Sequence, residues 1–411
     1  MRVSRREREL FNKQLSGPET MTKTTVQGND RRMYQPYLQA EWGLKNHWYP
    51  ALFSYELPEQ DVKGVKICGM PIVLRRSKGK IYALQDRCVH RGVRLSQKPM
   101  CLTDETITCW YHGFSYNLDD GKLMSIVGAP EDELIGKVRL RTYPVQEFKG
   151  MIFVFVGDED YSPIPPLSHD LPAQVPPDYE FFTAHIMQED SVILGIRSTV
   201  RCNWRLATEN GFDPGHGLIH RDNMIVLALA GTRHQQLAYR PVSEEAFRIF
   251  DGDGPKGIMN LYGSDKYVPV TENKALGLTS GTGTDFKFTG SRTSMYLPGV
   301  LMVENFPERG VAHFEWYVPI DDKTHEYWRC IVGRCPDAAS RKAFEYRYKH
   351  FYEPLALRDF NQSDVESSEA LQESYEKDGW DREVLFTLDS VLTSWRKVVS
   401  RHNRGIQQAP E

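Results

Sequence analysis

The sequence predicts an α+β fold in which an antiparallel β domain precedes a larger domain of antiparallel sheet and helices. Short apolar runs, punctuated by glycine and proline, fill residues 46–157 and are typical of β-strands. A segment with six prolines then follows at 162–180. Near the C-terminus, apolar residues recur at helical spacing between Glu383 and Arg401. We therefore divide the 411 residues into an N-terminal arm with a possible helix (1–42), a β domain (43–157) and a C-terminal domain (158–411).

Composition excludes several classes of function. A net charge of −4 without a basic stripe argues against a nucleic-acid partner. The absence of an 18-residue apolar run argues against a transmembrane helix, and the basic start MRVSRREREL lacks the apolar stretch of a secretory signal. Seven cysteines at irregular spacing make a poor disulfide framework. We expect a cytoplasmic protein whose cysteines are reduced or bind metal.

Individual elements of the β domain can be placed from their residues. Apolar runs at 65–68, 72–74 and 80–84 predict strands, and residues 77–80 predict a hairpin turn. The run at 151–157 predicts a buried strand that closes the domain. In the C-terminal domain, residues 314–319 predict a strand. Apolar side chains at helical period predict that one face of the last helix is buried, namely Val384, Leu388, Val391, Trp395 and Val398.

Two Cys-His motifs lie inside the predicted β domain. The first carries Cys88 and His90, and the second carries Cys109 and His112, with eighteen residues between His90 and Cys109. Two thiolates and two imidazoles could bind one zinc ion. Mixed Cys and His within each motif favours a Rieske [2Fe–2S] centre, in which two cysteines bind one iron and two histidines bind the other. A glycine within two residues after each histidine, Gly92 and Gly113, suits loops that bring backbone N–H groups close to sulfides.

A second constellation, D-x-x-H-x-x-x-H, begins at Asp213. Read as a helix, it places His216 and His220 on one face, with Asp213 on the same side. Two imidazoles and a carboxylate bind mononuclear iron(II) and leave positions free for O₂ and substrate. The residues alone leave the carboxylate open, with four candidates in the C-terminal third: Asp359, Asp364, Glu366 and Glu369.

Taken together, these motifs resemble the terminal oxygenase α subunits of Rieske non-haem iron oxygenases. The resemblance rests on CVHRG (88–92), CWYHGF (109–114) and the stretch from Asn203 to His220. It narrows to carbazole 1,9a-dioxygenase oxygenase components through ENGFDPGH (209–216) and FEWYVPID (314–321), among other segments.

The resemblance implies a function as well as a fold. It implies a helix-grip catalytic domain, a homotrimer, and electrons from a ferredoxin and its NAD(P)H-dependent reductase. The implied reaction is angular dioxygenation of carbazole-like fused aromatics with O₂. The alternatives are a related Rieske monooxygenase or O-demethylase, a Rieske electron carrier, and a structural zinc protein. A carrier would need only residues 43–157.

The resemblance also implies roles for individual residues. Asp364 matches the carboxylate ligand of the family's F-N-x-x-D pattern. Asp213 matches a residue that bridges an iron-binding histidine to a cluster histidine of the neighbouring subunit. From its residue type alone, Asp213 could instead cap a turn that begins at Pro214.

A third set of matched residues concerns the substrate. The carbonyl of Gly211 would accept a hydrogen bond from the substrate N–H, and four side chains would line an apolar pocket: Leu301, Val303, Phe306 and Phe360. Each of the four could equally be plain core. Gly217 departs from the family, which has a branched aliphatic residue there, and predicts a roomier pocket beside the metal. We expect the five cysteines outside the motifs to be structural: Cys68, Cys101, Cys202, Cys330 and Cys335.

Overall fold

The computed structural model describes residues 34–172, 185–225, 238–241, 246–260, 266–270, 272–279 and 292–410. Most of the predicted N-terminal arm, residues 1–33, lies outside the described residues, as does the end of the proline-rich segment. Helix α1 (Gln35–Gln39) precedes the first strand. Among the described residues, no helix is both long enough and apolar enough to cross a bilayer.

Residues 47–156 contain three antiparallel sheets of three strands each. Their orders are β1-β9-β8, β2-β3-β4 and β5-β6-β7. The bounds are β1 His47–Phe53, β2 Val62–Ile67, β3 Met70–Ser77, β4 Lys80–Gln85, β5 Thr106–Thr108, β6 Phe114–Asn117, β7 Leu123–Ile126, β8 Val145–Phe148 and β9 Met151–Val156.

The predicted hairpin between β3 and β4 is confirmed. Ser77 pairs with Lys80, so Lys78 and Gly79 form a two-residue turn. Both have positive φ, 52° and 73°, which matches the right-handed twist of the flanking strands. The glycine meets this requirement at little steric cost.

A seven-stranded antiparallel sheet dominates the second half. Its order is β10-β20-β19-β18-β17-β13-β12, and β11-β14 and β15-β16 form separate pairs. The strands are β10 Ser191–Val200, β11 Ala238–Pro241, β12 Phe247–Phe250, β13 Gly257–Asn260, β14 Tyr267–Val270, β15 Glu272–Asn273, β16 Leu278–Thr279, β17 Thr293–Tyr296, β18 Val300–Glu304, β19 Ala312–Pro319 and β20 His325–Arg334. The helices are α2 Trp204–Phe212, α3 Ala338–Arg347, a π-helix at Tyr348–Phe360, α4 Asn361–Tyr375, α5 Gly379–Arg382 and α6 Ser390–His402.

The large sheet has two packed faces. One face joins β1 and β9 in a continuous apolar core that includes Phe53, Trp316 and Trp328, and the rings of Phe53 and Trp328 lie 4.6 Å apart. The other face carries helices, with α2 against β17, β18 and β19 and α6 against β13. An antiparallel sheet packed against helices confirms the predicted α+β class.

The last helix is shorter than predicted. It begins at Ser390 rather than Glu383, and Val384 is 90% exposed. The Asp389 carboxylate accepts a hydrogen bond from the Phe386 N–H at 2.8 Å, which folds the preceding residues into a tight turn. Leu388 is half-buried in a 3₁₀ turn (Thr387–Asp389) before the helix. The prediction is correct for Val391, Trp395 and Val398, which are buried.

Helix α6 holds α2 in place through a buried ion pair. The Arg396 guanidinium donates to both carboxylate oxygens of Glu209, at 2.8 and 2.7 Å, and also binds Glu383. Arg396 is 1% exposed. Because a buried charge is stable only when paired, this contact fixes the orientation of the helix that leads into the histidine pair.

Candidate metal centres

Two loops with the same backbone turn carry the Cys-His motifs. The Gly92 N–H donates to the Cys88 carbonyl at 2.8 Å, and the Gly113 N–H donates to the Cys109 carbonyl at 2.9 Å. Both glycines adopt positive φ, 70° and 72°. A side chain is rarely tolerated in this conformation, so glycine is required for each turn. The two loops therefore share a turn from cysteine to glycine, in which the histidine is the second residue after Cys88 and the third residue after Cys109.

The thiols of these loops face inward and the imidazoles face outward. Cys88 and Cys109 are 2% and 1% exposed, whereas His90 and His112 are exposed with ring centroids 4.6 Å apart. Burial raises the pKa of the Cys109 thiol. The pKa of His112 is lowered, first by desolvation and then by His90 and Arg91, which favours the neutral imidazole that a metal needs.

This donor set fits a binuclear cluster better than a single zinc ion. Among the described residues, only one set of three such donors has its atoms within 4.8 Å of one another. That set is His216, His220 and Asp364, and not the residues of these two loops. The four side chains thus do not converge on one tetrahedral ion. Tyr116 adds a hydroxyl 3.1 Å from the Cys88 Sγ, and hydrogen bonds to sulfur tune the potential of iron–sulfur clusters.

The histidine pair lies on a short 3₁₀ helix, which corrects the predicted α-helix. Helix α2 ends at Phe212, and the pair occupies His216–His220 with ring centroids 5.1 Å apart. The residue before a proline is disfavoured in helical conformation, so Pro214 ends the helix at this point. The two imidazoles still face a common point, although they are not stacked one helical turn apart.

Asp364 of α4 completes a three-donor group. Its Oδ1 lies 3.3 Å from the His220 Nε2 and 3.8 Å from the His216 Nε2. All three donor atoms lie within 4.8 Å of one another. The other three carboxylates considered have different partners: Asp359 accepts from the Met224 N–H, Glu366 binds Gln362 at the surface, and Glu369 pairs with Arg201.

Hydrogen bonds fix both imidazoles in the orientation that a metal requires. The His216 Nδ1 lies 2.5 Å from the Asp213 backbone carbonyl, and the His220 Nδ1 lies 3.0 Å from the Asn223 Oδ1. An N–H at each Nδ1 leaves each Nε2 lone pair free. The His220 Nε2 is buried and has no hydrogen-bond partner among the described residues. This orphaned atom beside a carboxylate fits a bound divalent ion.

The Asp364 carboxylate is held ionised by its surroundings. Asn210 donates to its Oδ1 at 2.9 Å, and Asn361 donates to its Oδ2 at 3.2 Å. Burial opposes the charge, but His220 and His216 more than offset it and hold the pKa of Asp364 well below its usual range. The same pairing raises the pKa of His220 against the effect of its burial. A ligand set of two imidazoles and one carboxylate suits iron(II).

Aromatic rings cover one side of the three-donor group. Phe360, the last residue of the π-helix, stacks on His220 at a centroid distance of 3.7 Å. Phe306 packs against Phe360 at 4.8 Å and lies 5.7 Å from His313. Phe360 therefore lies directly beside the histidine pair, and Phe306 packs against Phe360.

The other predicted pocket residues lie on α2 and β18. Gly211 is in α2, where an added Cβ would lie 2.2 Å from the Tyr317 hydroxyl and 3.2 Å from Leu301. Val303 is half-buried on β18 opposite His313. The substrate role of all five residues stays a prediction. At Gly217, an added Cβ would have no described atom within 4 Å, which agrees with the expected extra room.

Asp213 caps the turn after α2 and touches the histidine pair through its backbone. Its Oδ1 accepts the Gly215 N–H at 2.6 Å, and its side chain is half-buried. The capping contact uses one carboxylate oxygen and leaves the other available for the predicted bridge to a neighbouring subunit. That bridge stays a prediction, because the structure contains a single chain.

Three asparagines escaped the sequence analysis although they contact the predicted ligands: Asn210, Asn223 and Asn361. Each lies three residues from an acidic or histidine residue of the site. The available signals are that spacing and the place of Asn361 in the F-N-x-x-D pattern, because asparagine has no strong metal or acid–base chemistry of its own.

We predict that Asn223→Ala weakens metal binding by about 10–100-fold, as loss of a partner to a ligand histidine usually does. The substitution removes the acceptor for the His220 Nδ1–H and frees the ring to rotate. Equilibrium dialysis against ferrous ion measures the effect. Asn223→Asp keeps an acceptor and should bind metal nearly as the parent does; equal loss in both variants would contradict the explanation.

Comparison with known protein families divides the chain into two matched regions. Residues 47–144 match the Rieske [2Fe–2S] domain, and residues 155–407 match a family described as homotrimeric ring hydroxylases. The chain is 41% identical to the terminal oxygenase component of carbazole 1,9a-dioxygenase from Metapseudomonas resinovorans, over 91% of this chain and 94% of that one.

Two solved structures are similar over nearly the whole chain. A 2-oxoquinoline 8-monooxygenase component superposes with a TM-score of 0.89 at 47% identity, covering 96% of this chain and 93% of that one. The oxygenase in a reduced oxygenase–ferredoxin complex of carbazole 1,9a-dioxygenase superposes with a TM-score of 0.82 at 38% identity, covering 92% and 95%.

Proposed function

This chain belongs to the Rieske ring-hydroxylating oxygenases as a terminal oxygenase, an oxidoreductase with a [2Fe–2S] cluster and a mononuclear non-haem iron, and we propose that it oxygenates a planar nitrogen heteroaromatic. The single observation that carries the proposal is the three-donor group of His216, His220 and Asp364, flanked by the aromatic wall of Phe306 and Phe360. The first candidate reaction is angular dioxygenation of a carbazole-like substrate, supported by the carbazole relatives.

In the proposed arrangement, each set of residues holds one metal group. Cys88, His90, Cys109 and His112 would hold the [2Fe–2S] cluster, and His216, His220 and Asp364 would hold the mononuclear iron. When bound, the cluster supplies single electrons and the iron activates O₂.

The chain's own residues provide orientation and a dry environment. The Asp213 carbonyl and Asn223 keep both imidazoles in one tautomer, and the two asparagines on Asp364 keep its carboxylate in place. Phe360 and Phe306 exclude water from one side and offer flat surfaces to a flat substrate. An apolar pocket with few polar groups suits a heteroaromatic that has one N–H to recognise.

Partners follow from the same proposal. We propose a homotrimer in which Asp213 lies beside a cluster histidine of the neighbouring subunit, and a ferredoxin with its NAD(P)H-dependent reductase as the electron source. The family's description as homotrimeric and the ferredoxin complexes of carbazole relatives support this. All seven cysteines are free, which supports a cytoplasmic location.

A second candidate reaction is monooxygenation. It is supported by the 47% identity to a 2-oxoquinoline 8-monooxygenase component, compared with 38% to the carbazole oxygenase in the ferredoxin complex. The two reactions differ in how many atoms of O₂ enter the product.

We predict that turnover with ¹⁸O₂, ferredoxin and reductase separates the two reactions. The assay offers carbazole and 2-oxoquinoline separately and analyses products by mass spectrometry. Two ¹⁸O atoms in the carbazole product support angular dioxygenation, and one atom in a hydroxylated quinolinone supports monooxygenation. No oxygen incorporation into either substrate, by protein with both metal centres loaded, would overturn the proposed substrate class.

A further inference from the structure

A buried carboxylate, that of Glu315, lies behind the three-donor group and forms no ion pair with a described lysine or arginine. Glu315 is 4% exposed on β19. Side chains alternate along a strand, so His313, Glu315 and Tyr317 share the face toward the helices, while Phe314 and Trp316 enter the opposite core. Within the part of the chain that the structure describes, no lysine or arginine forms an ion pair with Glu315.

The side chains that hydrogen-bond to Glu315 are neutral. Arg329 lies directly opposite Glu315 on β20, but its guanidinium donates to the Leu357 carbonyl and the Ser198 hydroxyl instead. The Tyr317 hydroxyl donates to its Oε2, and Asn361 donates to its Oε1 at 3.0 Å. The His313 Nε2 lies 3.6 Å from the Oε1, but burial lowers the pKa of His313 to about 3, so this imidazole carries no charge at neutral pH. Burial and the nearby Asp364 charge raise the pKa of Glu315 to about 7, so its ionised form is favoured only when further positive charge lies near it.

Asn361 connects Glu315 to the candidate metal ligand. Its Nδ2 lies 3.0 Å from the Glu315 Oε1, 3.0 Å from the Tyr327 hydroxyl and 3.2 Å from the Asp364 Oδ2. The nitrogen carries two hydrogens, so one amide spans two carboxylates. Asn361 is fully buried at the start of α4, which leaves it little freedom to move.

We infer that Glu315 is a positioning residue and the second carboxylate of the mononuclear iron centre, acting through Asn361 rather than by direct coordination. A ferrous ion bound by two neutral imidazoles and Asp364 retains one net positive charge. An ionised Glu315 one amide away cancels it, and the ion in turn adds positive charge that favours the ionised form of the buried carboxylate. The inference rests on the proposed function, because it assumes that the three-donor group binds iron.

The test measures ferrous binding directly. Parent protein and Glu315→Gln are stripped of the mononuclear metal, dialysed anaerobically against a series of ferrous concentrations, and analysed for bound iron. We expect the Kd for Fe²⁺ to rise by about 10–100-fold in Glu315→Gln, which is the usual effect of losing a residue that supports a metal ligand without binding the metal itself. Glu315→Asp restores the charge and should recover most of the loss.

Two controls separate this role from a general effect on folding. Glu326→Gln neutralises a half-buried carboxylate on the adjacent β20, where it pairs with Arg197, and should leave the Kd for Fe²⁺ unchanged. The visible absorption of the cluster reports on the fold of the same samples. Unchanged iron binding by Glu315→Gln, equal weakening in Glu326→Gln, or parallel loss of cluster absorption in Glu315→Gln would each overturn the inference.

The same assay keeps the two proposals distinguishable. His220→Ala removes a ligand that the proposed function requires. If His220→Ala retains parental iron affinity, the mononuclear centre itself is misassigned. If His220→Ala loses the iron while Glu315→Gln binds it normally, the centre stands and the role of Glu315 is overturned.

Discussion

Replacing Asp364 with alanine should reduce the iron content from about three to about two per chain and lower oxygenation to the background without enzyme. The carboxylate is the one anionic donor of the group and lies 3.3 Å from the His220 Nε2. Two neutral imidazoles alone bind ferrous ion weakly, and α4 offers no other carboxylate at that position. Iron analysis of anaerobically purified protein, together with product formation, measures both effects.

Glu366→Ala is the matched control for this prediction. Glu366 lies on the same helix and was a competing ligand in the sequence, but its side chain is at the surface beside Gln362. It should keep the full iron content and parental activity. An Asp364→Ala variant that still holds about three irons would contradict the assigned ligand set.

Replacing Cys109 with serine should abolish the visible absorption of the cluster and stop ferredoxin-dependent turnover. Its thiol is 1% exposed and in contact with that of Cys88, so no other described cysteine can take its place in the loop. A hydroxyl is a poor ligand for cluster iron compared with a thiolate. The measurement is a visible spectrum followed by assay with reduced ferredoxin.

Cys101→Ser provides the comparison within the same domain. Cys101 is half-buried and, unlike Cys88 and Cys109, is not followed by a histidine within three residues. This variant should keep the cluster spectrum. If Cys101→Ser loses the absorption while Cys109→Ser keeps it, the assignment of the cluster ligands is wrong.

Local sequence was sufficient for the parts of the molecule that depend on local chemistry. The hairpin at Lys78 and Gly79 follows from a two-residue turn between alternating strands. The Cys-His loops were visible because each combines two metal-binding residue types with a glycine that the turn requires. Each of these signals spans only a few residues, and over such short stretches backbone sterics determine the local conformation.

Contacts between distant segments could not be predicted in the same way. Nothing around Glu315 in the sequence indicates that Asn361 will join it to Asp364, because this juxtaposition depends on how α4 packs against β19. The extent of the last helix was misjudged for a related reason. Apolar spacing continues to Val384, but the contact between Asp389 and the Phe386 N–H breaks the helix there.

The central claim is that one chain carries both a [2Fe–2S] cluster and a mononuclear iron. Metal analysis combined with a visible spectrum of the anaerobically purified protein tests it most directly. The account predicts about three irons per chain and the broad, red-brown absorption of a Rieske cluster. A colourless protein that contains zinc would contradict it.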